Sequence, residues 1–401
     1  MQFNNLANQQ FNHLTIQPFN IQNSKFRITF AAMKYFIVAG EASGDLHGAN
    51  LIKAIKQKDA QAEFQFWGGD LMQAQANGLM MHYNQTAIMG FVEVLLKIRT
   101  ILGFLKTCKK QILAFKPDVV ILIDYPGFNL RIAEFAKQQN IKTVYYIAPK
   151  VWAWKENRAK KLEKFIDELL LIFPFEVSYF KKWKVKASYI GNPLLDEINV
   201  FVPDPDFKTK NNLSPQKPII ALLPGSRKQE ISSTLPNMML LANKYKDYEF
   251  VICAAPSIKP EFYQTFIGPN TKIIYNKTYE VLHLAKAAIV CSGTATLETA
   301  LFKVPQVCAY VANQISYVIA KQFVKIKYIS LVNLNLDKPA ITELIQHDYT
   351  LEKLKQEFEA VLPNGNKHEA LMQDYATLAT ALNKQGASNN AVQIITDLIK
   401  K

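Results

Sequence analysis

The sequence predicts an α/β protein with two similar domains, each built around a doubly wound parallel sheet. Short apolar segments alternate with helical stretches along most of the 401 residues, which is typical of parallel strands joined by helical crossovers. The alternation stops at 199–218, where Pro, Asp, Lys and Asn accumulate, and then starts again. This interruption is the best candidate for a domain boundary.

The strands follow in order from the apolar segments. The first is Lys34–Ala39, which leads through a turn of small residues at 40–48 into a helical pattern. The first domain is predicted to contain further strands at Glu63–Trp67, Val119–Ile123, Thr143–Ile147, Glu168–Ile172 and Ala187–Ile190. The second domain is predicted to contain Ile219–Leu223, Glu249–Ala254, Lys272–Ile274, Ala288–Val290 and Gln306–Ala309. The chain after Asp348 is predicted to be helical.

These patterns divide the chain into four parts. Residues 1–32 lack the basic start and apolar core of a signal peptide, so we expect a disordered or non-native extension, with Met33 as the alternative start. Residues 33–200 are the predicted N-terminal α/β domain and residues 201–370 the C-terminal one. The helices at 371–401 are expected to pack on the N-terminal domain or on a partner subunit.

The charge composition indicates which classes of molecule the protein could bind. The formal net charge is +14, from 47 Lys and Arg against 33 Asp and Glu, so we expect either an anionic partner or a solvated basic face. The excess Lys is spread through helical segments without an Arg-rich tail, so no nucleic-acid partner is predicted. The four cysteines are far apart and form no C-x-x-C pair. This favours free thiols in a reducing cytoplasm and predicts no metal site.

The segment 287–301 combines an apolar strand, a turn at Ser292, Gly293 and Thr294, and an Ala- and Leu-rich helix. Free N–H groups at the start of a helix favour an anion. Glu298 lies about one turn into the helix and can accept two hydroxyl hydrogen bonds. A phosphate beside a diol describes a nucleotide, and an ordinary turn capped by Ser292 or Thr294 is the alternative.

A second loop of this kind follows the strand Ile219–Leu223. Gly225 and Ser226 permit close approach of the backbone, and Arg227 offers a planar donor fork suited to phosphate. The two loops are expected at the carboxyl ends of neighbouring strands. In the alternative interpretation, the glycine and serine form a plain turn and Arg227 pairs with Glu230.

Asp124 stands at the tip of a buried strand, directly before a Pro-Gly bend. Burial at the edge of a cleft would raise its pKa and suit it to accept a proton from a hydroxyl group. Asp124 as a cap of the next helix is the alternative interpretation, and His47 is an alternative base. Trp152 and Trp154 follow another strand, where they could stack on a sugar, cover acyl chains or pack in the core.

The segment Phe91–Leu113 carries apolar side chains edged by Lys and Arg, a charge density that excludes a membrane span. It is either a core helix of the first domain or a helix that contacts an anionic bilayer or acyl chains. Phe91, Leu95 and Leu102 are the candidate contact residues.

Taken together, these motifs resemble those of the lipid-A-disaccharide synthases, in order from Lys34 to about Gln346. The motifs are GEASGD (40–45), MGFVE (89–93), IDYPGFN (123–129), VWAW (151–154), FPFE (173–176), LPGSR (223–227), SGTATLE (292–298) and SLVNL (330–334).

The resemblance implies a GT-B fold, in which two Rossmann-like domains with parallel sheets face a central cleft. It implies an inverting glycosyltransferase that needs neither a metal nor a cofactor. The donor would be UDP-2,3-diacylglucosamine, the acceptor 2,3-diacylglucosamine 1-phosphate, and the products a β-1,6-linked disaccharide phosphate and UDP. The enzyme would be cytoplasmic and peripheral to the inner membrane, whose surface it would contact, and a homodimer is left open.

The resemblance also implies roles for individual residues. Asp124 matches the essential aspartate and is the expected base. The implied donor residues are Gly225, Ser226, Arg227, Ser292, Gly293, Thr294, Glu298, Asn333 and Glu343, and the implied acceptor-side residues are Glu41, Ser43, Gly44, Asp45, Asn129 and Trp152. The segment 342–346 departs from the usual Pro-Glu or Lys-Glu pattern of the family, so the resemblance implies less about Glu343 and Gln346.

Two other functions are compatible with parts of the sequence. A UDP-sugar 2-epimerase would share the fold, but the paired carboxylate and His arrangement expected for it is not found. A non-catalytic protein that binds membrane surfaces would explain the charge, but it would leave Asp124, Arg227 and Glu298 without a role.

Overall fold

The computed structural model describes residues 32–86, 98–151, 157–268, 271–312 and 327–400. The chain divides into two compact units, Met1–Ala32 and Met33–Lys401. All helices and strands described below belong to the second unit. The prediction for residues 1–32 lies, except for Ala32, outside the described part of the chain.

The first sheet contains seven parallel strands. They are β1 (Lys34–Ala39), β2 (Glu63–Gly68), β3 (Leu79–His82), β4 (Val119–Ile123), β5 (Lys142–Tyr146), β6 (Glu168–Leu171) and β7 (Ala187–Tyr189). Their order across the sheet is β3-β2-β1-β4-β5-β6-β7. The order reverses between β1 and β4, which makes this position the topological switch point.

The second sheet contains six parallel strands. They are β8 (Ile219–Leu223), β9 (Glu249–Ala254), β10 (Thr271–Tyr275), β11 (Ala285–Cys291), β12 (Gln306–Tyr310) and β13 (Glu343–Ile345). Their order is β10-β9-β8-β11-β12-β13, so the switch point lies between β8 and β11. The predicted pair of Rossmann-like domains is confirmed.

Helices follow most strands, as crossovers between parallel strands require. In chain order they are α1 (Ala42–Lys58), α2 (Asp70–Gln75), α3 (Tyr83–Thr86), α4 (Ile98–Phe115), α5 (Pro126–Gln138), α6 (Asn157–Phe165), α7 (Pro174–Lys182), α8 (Pro193–Asn199), α9 (Phe207–Lys210), α10 (Lys228–Ala242), α11 (Pro260–Gln264), α12 (Thr278–Leu284), α13 (Thr294–Leu301), α14 (Leu331–Leu336), α15 (Leu351–Val361), α16 (His368–Ala381) and α17 (Ala387–Ile399). Among the described helices, none is both long and apolar enough to cross a membrane.

Strand β4 shows why the sequences of the central strands are apolar at every position. All five of its residues are buried. Val119, Ile121 and Ile123 pack in one core cluster together with α1 and α17. Val120 and Leu122 face the opposite side of the sheet, where they pack with α4 and α5. A strand that is covered on both faces has no polar position in its alternation.

The last three helices divide between the two sheets. Leu354 of α15 and Leu378 of α16 belong to the core of the second sheet. Ala391 and Ile395 of α17 lie in the same core cluster as Ile37 of β1. The end of the chain therefore returns to the first sheet and covers one of its faces.

The sequence did not predict β3 or β13. Both strands lie at the edge of a sheet, and β13 is only three residues long. Edge strands are often short and are not buried on both faces, so they lack the apolar run that identifies a central strand.

The chain passes between the two sheets twice, and the two crossing segments touch at Gly191. This glycine has a φ of 98°, and a Cβ atom there would lie 2.1 Å from the carbonyl oxygen of Lys384. Close by, the Asp196 carboxylate accepts hydrogen bonds from the N–H groups of Gly386 and Ala387, both at 2.7 Å. The first turn of α17 is thus held by the segment that leaves the first sheet.

We expect Gly191→Ala to lower the free energy of unfolding by about 1–3 kcal/mol or more, because the new methyl group collides with backbone in a left-handed conformation. Urea unfolding followed by circular dichroism measures this change. Gly103→Ala is the matched control, because a Cβ at this helical position meets no atom within 4 Å. Equal unfolding midpoints for Gly191→Ala and the wild type would contradict the steric argument.

Candidate active site

Asp124 follows β4 at the switch point of the first sheet, and its backbone is strained. Asp124 and Tyr125 have φ angles of 44° and 47°, in the left-handed region that non-glycine residues seldom adopt. Each such residue costs about 1–3 kcal/mol and is kept only where the surroundings enforce it. Strain of this kind clusters at functional sites, which agrees with the prediction that Asp124 is a site residue.

The alternative interpretation of Asp124 as a helix cap is wrong. The N-cap residue of α5 is Tyr125, and no side-chain hydrogen bond caps this helix. The Asp124 carboxylate therefore does not cap α5.

The electrostatic surroundings of Asp124 combine burial with nearby charges. Burial raises the pKa of the Asp124 carboxyl group, while the Lys150 ammonium and the N–H of Tyr125 oppose that rise. The pKa of Glu41, in the loop after β1, is raised by desolvation and then by the charge of Asp124, and the charge of Arg227 opposes this. Glu41 therefore lies within electrostatic reach of both Asp124 and Arg227. The site draws on both sheets.

In the second sheet, the loop after β8 packs tightly against the end of β11. Gly225 has a φ of 116°, and a Cβ atom there would lie 2.7 Å from the Cβ of Glu230 and 3.3 Å from the Sγ of Cys291. Only glycine combines this backbone conformation with this approach. The two predicted anion-binding loops are thus neighbours, as their positions after adjacent strands imply.

Arg227 pairs with Glu230, as the alternative interpretation of this loop proposed. Its Nη1 donates to Glu230 Oε1 at 2.8 Å, and the N–H groups of Ser226 and Arg227 donate to Glu230 Oε2 at 3.0 and 3.2 Å. The Arg227 side chain nevertheless remains 76% exposed. A guanidinium group carries five N–H donors, so the ion pair does not prevent it from also binding a phosphate.

The turn at the end of β11 leads into α13 without a side-chain cap. Gly293 is the N-cap residue of this helix and supplies no cap hydrogen bond. Ser292 instead donates from Oγ to the carbonyl oxygen of Ile329 at 2.9 Å. The interpretation in which Ser292 or Thr294 caps the helix is therefore wrong.

Glu298 lies further along α13. Its carboxylate and that of Glu197 both lie near the hydroxyl group of Tyr279. Tyr279 Oη lies 3.3 Å from Glu298 Oε1 and 3.4 Å from Glu197 Oε2. Burial raises the pKa of Glu298, the Tyr279 hydroxyl opposes this rise, and the charge of Glu197 adds to it. A carboxylate at this position can accept hydrogen bonds from hydroxyl groups.

Asn333 and Glu343 bind the chain itself. Glu343 accepts hydrogen bonds from the N–H groups of Ile329 and Ser330 and from Asn333 Nδ2, at 2.9–3.0 Å. The Oδ1 of Asn333 accepts from the N–H of Ile341 at 2.9 Å. Together they support the loop that receives the Ser292 hydroxyl. A direct contact of Asn333 or Glu343 with a nucleotide stays a prediction.

Of the acceptor-side residues that were predicted in the loop after β1, some are exposed and others are buried. Ser43 is exposed in α1, whereas Gly44 and Asp45 are buried. The Asp45 carboxylate accepts from the N–H groups of Gly69, Leu71 and Met72 at 2.7–3.1 Å, so it anchors the start of α2. These contacts give Asp45 a structural role.

His47, the alternative base, is a poor one. Burial lowers the pKa of its imidazole to about 4, so the ring is neutral at physiological pH and has little tendency to take a proton. The His47 and Tyr146 rings have centroids 6.5 Å apart. Asp124 is the better candidate.

Trp152 and Trp154, and also Phe91 and Leu95, lie outside the described residues. Leu102 lies within α4, and its side chain is 58% exposed. Within the described ranges, no group of three or more His, Cys, Asp or Glu could hold a metal ion.

Sequence reasoning missed Lys150 and two tyrosines, Tyr145 and Tyr279. Lys150 follows β5, next to β4, so the rule that ligands bind at the carboxyl ends of strands could have identified it. The tyrosines resemble core aromatics, and only the structure shows that their hydroxyl groups contact Asp124 and Glu298.

Comparison with known proteins agrees with this geometry. The family described as lipid-A-disaccharide synthetase matches residues 35–397. The lipid-A-disaccharide synthase of Coxiella burnetii (strain CbuG_Q212) is 34% identical over 367 residues, which cover 90% of this chain and 98% of the relative.

Solved structures share the fold at low identity. The glycosyltransferase of kitacinnamycin superposes with a TM-score of 0.64 at 12% identity, covering 92% of this chain and 99% of that chain. The UDP-GlcNAc 2-epimerase from Neisseria meningitidis, bound to UDP-GlcNAc, gives a TM-score of 0.63 at 13% identity, covering 92% and 100%. At this identity the likeness shows the fold alone, and the family match decides between the two activities. The chain belongs to the lipid-A-disaccharide synthase family and is a glycosyltransferase with the predicted GT-B fold.

Proposed function

We propose that this enzyme transfers 2,3-diacylglucosamine from its UDP donor to the 6-hydroxyl group of 2,3-diacylglucosamine 1-phosphate. The observation that carries the proposal is the placement of Asp124. It stands in strained backbone at the switch point of the first sheet, with a raised pKa. The pKa of Glu41 responds to the charges of both Asp124 and Arg227, which connects this site to the second sheet. The products are a β-1,6-linked disaccharide phosphate and UDP.

The donor half of the site is assigned to the loops after β8 and β11. Arg227 and the N–H groups at the start of α13 would stabilise the diphosphate as negative charge develops on the leaving UDP. Gly225, Ser226 and the turn 292–294 bring the backbone close to it. Glu298 would accept hydrogen bonds from the ribose hydroxyl groups.

The acceptor half is assigned to the loops after β1, β4 and β5, including Glu41 and Ser43. Asp124 takes the proton of the acceptor 6-hydroxyl as its oxygen attacks the anomeric carbon, and the bond from that carbon to UDP breaks on the opposite face. One displacement inverts the anomeric centre. The raised pKa of Asp124 makes it a stronger base than an ordinary aspartate.

UDP release tests this function directly. Mixing the two diacyl sugars should release one UDP per disaccharide formed, and EDTA should not change the rate, because no metal is assigned a role. We expect Asp124→Asn to lower kcat by roughly 10²–10⁴-fold, since the amide cannot accept the proton. The acid limb of the wild-type profile of kcat against pH should lie above the ordinary aspartate pKa of 3.8, because burial raises the pKa of Asp124.

Near-normal turnover by folded Asp124→Asn enzyme would remove Asp124 as the base. Conversion of the UDP-sugar to an isomer without UDP release would instead indicate an epimerase.

We expect Glu298→Ala to raise the donor KM about tenfold or more, because hydrogen bonds to a charged group are lost. The acceptor KM of the same variant is the internal control and should stay within about twofold of the wild type. The donor KM of the wild type should also rise as the pH falls, because a carboxyl group with a raised pKa protonates earlier. Equal increases of both KM values would argue against ribose recognition.

The surface of α4 supports a proposal for membrane contact. Leu105, Cys108 and Ile112 are buried in the core of the first sheet, so the core interpretation holds for one face of the helix. The other face exposes Leu102 and Leu113, with exposed fractions of 58% and 47%, beside exposed Lys106 and Lys110. Apolar side chains edged by cations are suited to an anionic bilayer. We assign this face to the surface of the inner membrane, on its cytoplasmic side.

We expect the double change Leu102→Ser and Leu113→Ser to weaken binding to anionic liposomes severalfold in a flotation assay, because less apolar surface enters the bilayer. The core face of α4 is untouched, so the unfolding midpoint should change little. Leu240→Ser is the control, because Leu240 is 50% exposed on α10 of the second domain. Unchanged liposome binding by the double variant would contradict membrane contact through α4.

A further inference from the structure

Two fully buried side chains bind the backbone of the candidate base. Asn129 Nδ2 donates to the carbonyl oxygen of Asp124 at 2.8 Å and to that of Ile123 at 3.1 Å. The hydroxyl group of Tyr145 donates to the same carbonyl oxygen of Asp124. Asn129 and Tyr145 are both 0% exposed. One carbonyl group therefore receives two hydrogen bonds from the interior of the protein.

These bonds depend on the left-handed backbone at Asp124. If this residue returned to an extended conformation, its carbonyl group would turn away from both donors. The Tyr145 hydroxyl and the Asn129 amide would then each lose this acceptor, which is unfavourable because water cannot replace it in the interior. The two side chains thus make the strained conformation the favourable one.

We propose that Asn129 and Tyr145 are positioning residues, which fix the left-handed backbone at Asp124 and thereby hold its carboxylate in place for proton transfer. The inference rests on the proposed function, because it takes Asp124 as the base. It assigns to Asn129 a role through Asp124 in place of a contact with the acceptor. It adds Tyr145, which sequence reasoning had not singled out.

A purely structural role is the alternative, and the two roles make different demands on Tyr145. Packing in the core cluster that surrounds it requires the aromatic ring. Positioning requires the hydroxyl group. Tyr145→Phe keeps the ring and removes the hydroxyl, so it separates the two roles without opening a cavity.

Steady-state kinetics of the full-length enzyme with both diacyl sugars test the proposal. We expect Tyr145→Phe to lower kcat about tenfold while both KM values stay within twofold. The acid limb of the profile of kcat against pH should move to lower pH, because a less tightly held carboxylate is better solvated and its pKa falls. Asn129→Ala should act in the same direction and more strongly, since it removes the bonds to Val38 and Ile123 as well as the bond to Asp124.

A double variant provides the sharper readout. If Tyr145 acts through Asp124, its hydroxyl has no effect once the carboxylate is gone. The kcat of Asp124→Asn/Tyr145→Phe should therefore equal that of Asp124→Asn alone.

Tyr146→Phe is the matched control. Tyr146 is the next residue of β5 and also 0% exposed, but it packs on the opposite face of the sheet, in the cluster that contains Ile37 and Val144. The same loss of a buried hydroxyl should leave its kcat and pH profile unchanged.

Three outcomes are distinguishable. A wild-type kcat and acid limb in Tyr145→Phe would overturn the positioning role, while a slow Asp124→Asn enzyme would still support the proposed function. An equal loss of kcat in Tyr145→Phe and Tyr146→Phe would also overturn positioning, because it would reflect the core alone. Normal turnover by Asp124→Asn would overturn the proposed function itself and the inference with it.

Discussion

The reversal of strand order within each sheet is the constraint on which the site depends. At a reversal, the loops that leave two adjacent strands turn to opposite faces of the sheet and open a crevice at its carboxyl edge. The reversals lie between β1 and β4 and between β8 and β11. The loops that follow these four strands carry Glu41, Asp124, Arg227 and Ser292. The topology therefore determines which residues can meet in the site.

Internal carboxylates hold these loops in shape before any substrate arrives. Glu230 accepts hydrogen bonds from the N–H groups of Ser226 and Arg227 and from the guanidinium group of Arg227. Glu343 likewise accepts hydrogen bonds from the N–H groups of Ile329 and Ser330. These backbone donors would otherwise lack partners, since the helices and strands do not use them. The loops are thus preorganised, while the guanidinium group of Arg227 remains exposed.

The sequence was sufficient for the central strands and for the position of the loops. A parallel strand that is covered on both faces must be apolar throughout, so Val119–Ile123 could be identified as a strand and Asp124 as its polar end. The left-handed backbone at Asp124 and Tyr125 could not be predicted, because such conformations are usually marked by Gly or Asn. Nor does a motif distinguish a residue that contacts a ligand from one that supports a loop, as Asn333 illustrates.

Helix α17 belongs to the first domain by packing, although by sequence it follows the second domain. Ala391 and Ile395 lie in one cluster with Ile37 of β1 and Leu51 of α1, although more than half of the chain separates them. A fragment that ended near residue 200 would expose that face of the first sheet to water. Burial of apolar surface is the main stabilising term in folding, so the first domain is complete only when the end of the chain has joined it. The hydrogen bonds from Gly386 and Ala387 to Asp196 fix where that helix begins, and they tie its docking to the segment that leaves the first sheet.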